Sequence, residues 1–244
     1  MSARQSLAEK LARPEIRALA PFDIAETGPD PDAILLDSNE SPFAPMGTDV
    51  PINRYPESQP QALRARMAAL YGVEHDNLWV TRGADDAIEL LVRTFCNPGE
   101  DAIAISSPTN VVPPADILAL AERLPDTIVV ADEAYVEFAG VESLAGEAAG
   151  RGNLVVLRTL SKAFGLAGAR VGALVGHPDT VAMTSRASPF YPLPVPSILA
   201  TSRSCSATIL RAAGARILSP TFSSAPSSLA SLLLEAPLEE GALV

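Results

Sequence analysis

The sequence of 244 residues contains few cysteines and few histidines. Its two cysteines, Cys96 and Cys205, cannot form a disulfide framework, which favours a reducing compartment. Its two histidines, His75 and His177, lie far apart and belong to no cluster of cysteine and histidine. Because structural zinc sites need four such ligands close together, we expect no metal site.

Positive charge and long apolar runs are also scarce. The sequence has only 18 basic residues but 29 acidic residues, which gives a formal net charge of −11. Binding to nucleic acid or to anionic membranes depends on clustered lysine and arginine, so this balance argues against both kinds of partner. No apolar run is long enough to span a bilayer, and residues 1–10 lack the apolar core of a signal peptide. We therefore expect a cytoplasmic protein.

Lysine is so rare that one of its positions stands out. Lys10 and Lys162 are the only lysines among 18 basic residues. Arginine stays protonated and cannot serve as an amine nucleophile. A chain that otherwise uses arginine therefore retains Lys162 either for amine chemistry or by chance, and composition alone leaves both explanations open.

Short apolar runs alternate with helical patterns through the middle of the chain. Hydrophobic residues make up 48% of the sequence, which is enough to bury a core. Continuous apolar strands separated by helices indicate an α/β fold with a mostly parallel sheet covered on both faces. The patterns predict strands at 34–36, 78–81, 101–106, 127–131, 154–157 and 170–175 and helices at 59–71, 84–95 and 116–123.

The composition divides the chain into three parts. Residues 1–33 form an N-terminal arm with a weak helical pattern at 6–20 that breaks at Pro14. Residues 34–200 form the α/β domain. Residues 201–244 form a tail rich in serine, alanine and leucine, in which no lysine, aspartate, histidine or tyrosine occurs.

Two strand ends carry groups that could bind a ligand, because ligands of parallel α/β sheets sit beyond the carboxyl ends of the strands. Gly83, Ala84 and Asp85 lie between a strand and a helix, where backbone N–H groups can hold a phosphate. An ordinary capped turn is the alternative explanation for these three residues taken alone. Asp132 ends another strand and, among apolar neighbours, would need a cationic partner such as a protonated ring nitrogen. A solvated turn is the alternative there.

The third strand end is the most informative. Lys162 lies just past the strand at 154–157, beside Ser161 and eight residues before Arg170, in a glycine-rich segment that is not a Walker A loop. Pyridoxal phosphate needs an amine, a carboxylate against its ring nitrogen and donors for its phosphate. The three strand ends together supply all of these groups, so the pattern favours a pyridoxal phosphate site.

The sequence resembles the aspartate-aminotransferase-like, fold-type I enzymes that use pyridoxal phosphate, and most closely the histidinol-phosphate aminotransferases. The resemblance covers roughly residues 10 to 200, and its most specific part is Arg-Thr-Leu-Ser-Lys-Ala-Phe-Gly-Leu-Ala-Gly at 158–168, followed by Ala-Arg. It implies the three-layer large domain of these transferases. The other matching stretches are 36–42, 53–56, 81–91 and 130–135.

The resemblance implies roles for individual residues. Lys162 would attach to the cofactor and later move a proton, Asp132 would keep the ring nitrogen protonated, and Tyr135 would hydrogen-bond the phenolic oxygen of the cofactor. Ser161, Arg170 and the amides of Ala84 and Asp85 would hold the phosphate. Tyr55 would reach the phosphate of a neighbouring subunit, which implies a homodimer, and Asn39 and Glu40 would line the substrate pocket.

The implied reaction is reversible amino transfer between histidinol phosphate and 2-oxoglutarate, both small-molecule substrates. The chain departs from the family in two places. At 109–110 the sequence passes directly to a later part of the family pattern, so a stacking aromatic and an Asn motif are missing and the large domain is incomplete. In the tail we find no small C-terminal domain with its arginine for the substrate carboxylate. The alternatives are a threonine-phosphate decarboxylase-like enzyme and a catalytically inactive fragment.

Overall fold

A computed structural model describes residues 5–20, 38–101 and 112–204. These residues contain four strands in one sheet, in the order β1-β4-β3-β2. Strand β2 pairs in parallel with β3, whereas β4 is antiparallel to both of its neighbours. Three of these strands therefore share one direction. The strands are β1 (Leu78–Thr81), β2 (Val129–Asp132), β3 (Leu154–Thr159) and β4 (Gly172–Gly176).

The helices confirm most of the sequence predictions. The predicted helices at 59–71, 84–95 and 116–123 are present within two residues at each end, and the arm contains two short helices on either side of the break before Pro14. The predicted strand at 34–36 and residues 102–106 of the predicted strand at 101–106 lie outside the described residues. The helices are α1 (Leu7–Leu11), α2 (Pro14–Ala18), α3 (Gln61–Tyr71), α4 (Ala84–Phe95), α5 (Pro114–Arg123), α6 (Val136–Ala139), α7 (Ala145–Gly150), α8 (Pro178–Ser185) and α9 (Val195–Ser204).

The fold class is α/β, as predicted, but the direction of β4 corrects the expectation drawn from its apolar run. The segment between β3 and β4 holds only a one-turn 3-10 helix at Ala167–Ala169. A parallel return needs a crossover, which is usually an α-helix, so this connection places β4 antiparallel to β3. Both directions bury a strand on two faces, and an apolar run therefore cannot distinguish them.

Apolar side chains cover both faces of the sheet. Val156 packs with α3 residues such as Leu63 and Met67 on one face, while Val155 and Leu157 pack with α4 residues on the other. All residues of β3 and β4 are buried. Burial of each such aliphatic side chain stabilises the fold by roughly 1.5–3 kcal/mol, so the alternating faces of β3 join the two layers of helices to the sheet.

The outer edge of β1 is covered by side chains from the start of α3. Gln59 is fully buried and pairs with Val80 like a neighbouring strand: Nε2 donates to the carbonyl at 3.1 Å and Oε1 accepts from the amide at 2.9 Å. Arg64 donates from Nε to the carbonyl of Leu78 at 2.9 Å. These contacts satisfy backbone groups that an edge strand would otherwise expose to another chain.

Gly172 opens β4 at a point where no larger residue fits. A Cβ atom placed there would lie 2.7 Å from the carbonyl oxygen of Arg158 and 2.7 Å from both Cα and C of Gly83. All three are backbone atoms and cannot rotate away. We expect Gly172→Ala to lower the free energy of unfolding by about 1–3 kcal/mol, measured by urea denaturation.

A matched control lies in the same strand. At Gly176 the nearest atoms to an added Cβ are 3.7 Å away, which is ordinary contact. Gly176→Ala should therefore stay within about 0.5 kcal/mol of the wild type. Equal losses in the two variants would show that the general intolerance of the strand, and not the backbone contact at Gly172, determines the effect.

Candidate active site

The residues predicted to bind a cofactor gather at one edge of the sheet because of the strand directions. Strands β1, β2 and β3 end at this edge, and the antiparallel β4 begins there. The loop before α4, the end of β2, the segment after β3 and Arg170 before β4 consequently meet. The reversal of β4 is thus the reason that Arg170 lies near Ser161 rather than at the opposite edge.

An arrangement suited to an anion forms where the loop after β1 meets Arg170. We call it the anion cradle and define it as the amides of Ala84 and Asp85, the Ser161 hydroxyl and the Arg170 guanidinium. No side chain caps the start of α4, where Gly83 has φ +94°. Arg170 Nη1 lies 3.5 Å from Ser161 Oγ, and its Nη2 donates to the carbonyl of Arg82 at 3.3 Å. The helix N-terminus and the guanidinium therefore direct positive charge to one point.

Gly83 is required in the cradle for a steric reason. A Cβ atom there would lie 2.8 Å from Arg170 Nη2. Its positive φ also falls in a region that other L-residues rarely adopt. A larger residue would consequently displace the guanidinium from the helix start.

Backbone strain occurs at two of the predicted site residues. Within the described ranges, Arg170 (φ 52°) and Asn39 (φ 54°) are the non-glycine residues with positive φ. Asparagine tolerates this left-handed conformation, whereas arginine adopts it at an energetic cost. Such strain concentrates at functional sites, where surrounding contacts hold the residue in place.

The two acidic residues at the start of α4 have different contacts. Asp86 is buried and accepts from the amide of Arg82 at 2.9 Å, which holds the loop in shape. Asp85 points outward, and its Oδ2 lies 3.1 Å from Arg170 Nη2. The sequence did not indicate this ion pair, because its partners are 85 positions apart.

Lys162 lies between the cradle and Tyr135. Its Nζ is 5.5 Å from the centre of the Tyr135 ring, an electrostatically favourable position for an ammonium group. Among the described residues, no carboxylate oxygen lies within 4.0 Å of this nitrogen. Lys162 is exposed, and its neighbour in sequence, Ser161, belongs to the cradle. The Ser161 hydroxyl accepts from Thr159 Oγ1 at 3.0 Å.

Asp132 has no cation to balance its charge in this part of the structure. Asp132 is exposed at the end of β2, but partial desolvation by its surroundings raises its pKa, and the nearby charges of Asp85 and Glu133 raise that pKa further. A hydrogen bond from the amide of Ala134, 3.0 Å from Oδ1, opposes this shift in pKa. A carboxylate in these surroundings favours a cationic ligand.

Glu40 and Tyr55 are linked to each other rather than to the cradle, and Asn39 precedes Glu40 in the chain. Glu40 accepts from the amide of Tyr55 at 2.5 Å and from Arg54 Nη1 at 2.8 Å. The Tyr55 ring stacks on Tyr191, with centroids 4.5 Å apart. In the described part of the chain, no hydrogen bond or ion pair connects this group to the cradle.

A buried ion-pair network lies beneath the site. Arg158 donates to Glu133 Oε2 at 2.8 Å and to Glu137 Oε1 at 2.5 Å, and its guanidinium lies over the Tyr71 ring. Burial disfavours charge on Arg158, but Tyr71 and the two carboxylates outweigh it and raise the arginine pKa. The sequence motifs contain Arg158 and Glu133, yet spacing along the chain could not show that they pair.

The structure can be searched for metal-ligand clusters and membrane-spanning helices only over the residues that it describes. Over the ranges that the structure describes, no three side chains of the metal-ligating types come together. Within the same ranges, no helix combines the length and the apolar character that a membrane span requires. The predicted break at 109–110 and the tail after residue 204 lie outside these ranges.

Comparison with known proteins identifies relatives over about four-fifths of the chain. A curated histidinol-phosphate aminotransferase from Shewanella amazonensis is 41% identical, with 78% of this chain and 68% of the relative aligned. Another from Xanthomonas campestris pv. campestris is 32% identical, with 85% and 73% aligned. A second Shewanella relative, from Shewanella oneidensis, is 36% identical, and the chain spans only 63% of its length.

Solved structures share the fold at lower identity. Histidinol-phosphate aminotransferase from Sinorhizobium meliloti, solved with pyridoxal-5'-phosphate, has a TM-score of 0.55 at 20% identity, covering 67% of this chain and 60% of that one. L-threonine-O-3-phosphate decarboxylase from Porphyromonas gingivalis has a TM-score of 0.55 at 23% identity, covering 69% and 66%. At these identities the likeness concerns the fold.

The alignments also show that part of the relatives' sequence has no counterpart in this chain. The alignment to the Shewanella amazonensis relative runs over 246 positions but holds 78% of this chain, which is about 190 of its 244 residues. About 56 positions of that relative therefore have no counterpart here. The family described as aminotransferase class I and II matches residues 25–111 and 110–219, two segments that meet beside the break in the motifs and extend past residue 200. On this match, the chain belongs to the aminotransferase class I and II family.

Proposed function

We propose that this chain binds pyridoxal phosphate at Lys162 and transfers amino groups with it. The observation that carries the proposal is the convergence of an exposed amine, a carboxylate with a raised pKa and an anion cradle at one edge of the sheet. The groups fit the cofactor for two reasons. A Cβ atom at Gly83 would lie 2.8 Å from Arg170 Nη2, so only glycine lets the guanidinium reach the start of α4, where a phosphate would bind. Asp132 favours a cationic partner such as the ring nitrogen. Membership of the family supports the same assignment.

Each residue contributes a separate physical effect. Bound pyridoxal phosphate supplies a reactive aldehyde and an electron-withdrawing ring. Lys162 Nζ supplies the amine and a group that accepts and returns a proton. Asp132 stabilises positive charge at the ring nitrogen, and the Tyr135 hydroxyl orients the phenolic edge. The cradle binds the phosphate through Ser161, Arg170 and the two amides at the start of α4.

We infer histidinol phosphate as the amino donor and 2-oxoglutarate as the acceptor, with a role in histidine biosynthesis in the cytoplasm. The inference rests on the names of relatives that are 31–41% identical. A threonine-phosphate decarboxylase-like activity is the second candidate, favoured only by likeness of fold to one such enzyme. An inactive fragment is the third, and the gap of about 56 positions supports it.

We further propose that the active form is a homodimer. Tyr55 and Phe190 are 58% and 70% exposed, and the Tyr55 ring stacks on Tyr191. An exposed aromatic surface of this kind fits a protein partner better than water. A second copy would cover it and bring Tyr55 to the neighbouring phosphate, as the family resemblance implies. We also propose that Asn39 and Glu40 border the substrate pocket.

One assay separates the three candidates. The chain with added pyridoxal phosphate is incubated with histidinol phosphate and 2-oxoglutarate, and glutamate is measured; a parallel reaction with threonine phosphate measures carbon dioxide. We expect glutamate and no carbon dioxide. Carbon dioxide would favour the decarboxylase, and covalent attachment of the cofactor without either product would favour an inactive fragment.

Arg170→Gln should raise the cofactor concentration needed for half-maximal activity, because it removes a charged phosphate donor.

A further inference from the structure

Asp85 contributes two opposing groups to the cradle. Its amide is one of the donors at the start of α4, but its carboxylate lies 3.1 Å from Arg170 Nη2. The Asp85 side chain is 89% exposed and the Arg170 side chain 49% exposed. The negative group therefore lies on the solvent side of the guanidinium that an arriving phosphate would approach.

We propose that the Asp85 carboxylate competes with the cofactor phosphate for Arg170 and so sets the affinity of the cradle for anions. This inference rests on the proposed function, which assigns the cradle to a phosphate. A bound phosphate would displace the carboxylate from Nη2 while keeping the amide of the same residue. Asp85 consequently weakens binding of any dianion, including free phosphate, and a ligand needs further contacts at Lys162 and Asp132 to bind tightly.

Two observations show that Asp85 is not needed to hold Arg170 in position. The guanidinium also donates to the carbonyl of Arg82 at 3.3 Å and contacts Ser161 Oγ at 3.5 Å. The close packing of the Arg170 guanidinium against Gly83 further limits the positions that the guanidinium can take. Loss of the Asp85 charge should therefore leave the guanidinium in the cradle and free to bind an anion.

The charge of Asp85 also affects Asp132, which would contact the ring nitrogen of the proposed cofactor. Asp85 is one of the groups that raise the pKa of Asp132, after desolvation. Neutralising Asp85 would make Asp132 ionise more readily and pair better with a protonated ring. The competing carboxylate thus opposes both electrostatic contacts of the cofactor, at the phosphate and at the ring nitrogen.

The test uses Asp85→Asn, which preserves size and the amide donor while removing the charge. Isothermal titration of the full chain with inorganic phosphate and, separately, with pyridoxal phosphate measures affinity without an activity assay. We expect both to bind several-fold more tightly to the variant, since the removed charge lies a few ångströms from the bound dianion, although solvent screens a side chain that is 89% exposed. The gain should shrink at high salt.

Glu89→Gln is the matched control. Glu89 lies one turn further along α4, pairs with Arg93 and loses the same charge on substitution. An equal gain in both variants would show only a net-charge effect and would overturn the proposal. Unchanged or weaker binding to Asp85→Asn, with a wild type that binds, would also overturn it and leave the proposed function intact. No saturable binding of pyridoxal phosphate to either protein would reject both.

Discussion

Lys162→Ala is expected to abolish covalent attachment of pyridoxal phosphate. Attachment requires an amine, and the sequence holds only two lysines. Lys10 lies in α1, where its Nζ is paired with Asp126 at 2.7 Å. Lys162 instead lies over Tyr135, next to the cradle. The measurement is reduction of the mixture with borohydride, followed by mass spectrometry to locate the modified residue.

Two further variants make this experiment specific. Lys162→Arg retains positive charge but cannot supply an amine nucleophile, so it should fail to attach the cofactor even if it binds the phosphate. Lys10→Arg removes the other lysine and should attach the cofactor as the wild type does. Undiminished attachment in Lys162→Ala, at Lys10 or at the N-terminal amine, would contradict the assignment of the site.

Arg158→Met is expected to lower the free energy of unfolding by about 3–5 kcal/mol at neutral pH. Methionine can fill much of the space over Tyr71, but Glu133 and Glu137 would lose their shared cation. Both side chains of the pair between Arg158 and Glu133 are less than one-tenth exposed, so water cannot replace the lost contact. Chemical denaturation of both proteins measures the difference.

The loss should depend on pH in a defined direction. Burial already raises the pKa of Glu137 in the wild type, and Arg158 partly opposes this. Without the arginine, Glu137 in the folded variant holds its proton more tightly than in the unfolded chain. The stability of the variant therefore falls as the pH rises from the ordinary glutamate pKa through the raised pKa of the folded state. The deficit should therefore be smallest below the ordinary glutamate pKa of 4.5 and largest at neutral pH.

Arg151→Met provides the control for this second prediction. Arg151 pairs with Glu147 at 3.2 Å, and the two side chains are 35% and 53% exposed. Exposed pairs of this kind contribute little, so the loss should be no more than about 0.5 kcal/mol and nearly independent of pH. A similar small loss in Arg158→Met would mean that the buried network adds no more stability than a surface pair.

Much of the local structure follows from the order of the residues. The predicted helix at 84–95 and the strand at 78–81 occupy the same residues in the structure, because helix spacing, an apolar run and the glycine between them are all local signals. Helices α6 to α9 were not predicted. All four are ten residues or shorter and α6 has only four, so their weak periodicity could not outweigh the surrounding glycines and prolines.

The sequence indicated candidate members of the site but not the contacts between them. A rare lysine, a strand-end aspartate and a glycine before a helix each carry chemical information that survives without a structure. The role of Asp85 was different: its amide was predicted as a donor, but the ion pair of its side chain with Arg170 was not. Likewise, Tyr55 was assigned to a neighbouring phosphate, and its stacking on Tyr191 was not foreseen.

The sequence by itself determined the α/β class, the positions of β1 and α4 and the family, and it singled out Lys162 as the candidate amine. Only the tertiary structure decided that β4 runs opposite to its neighbours, that Arg170 meets Asp85, and that Arg158 joins Glu133 to Glu137. The physical reason is the range of the forces involved. Propensity and apolar spacing act between residues close along the chain, whereas hydrogen bonds and ion pairs depend on distances in space that only the folded sheet establishes.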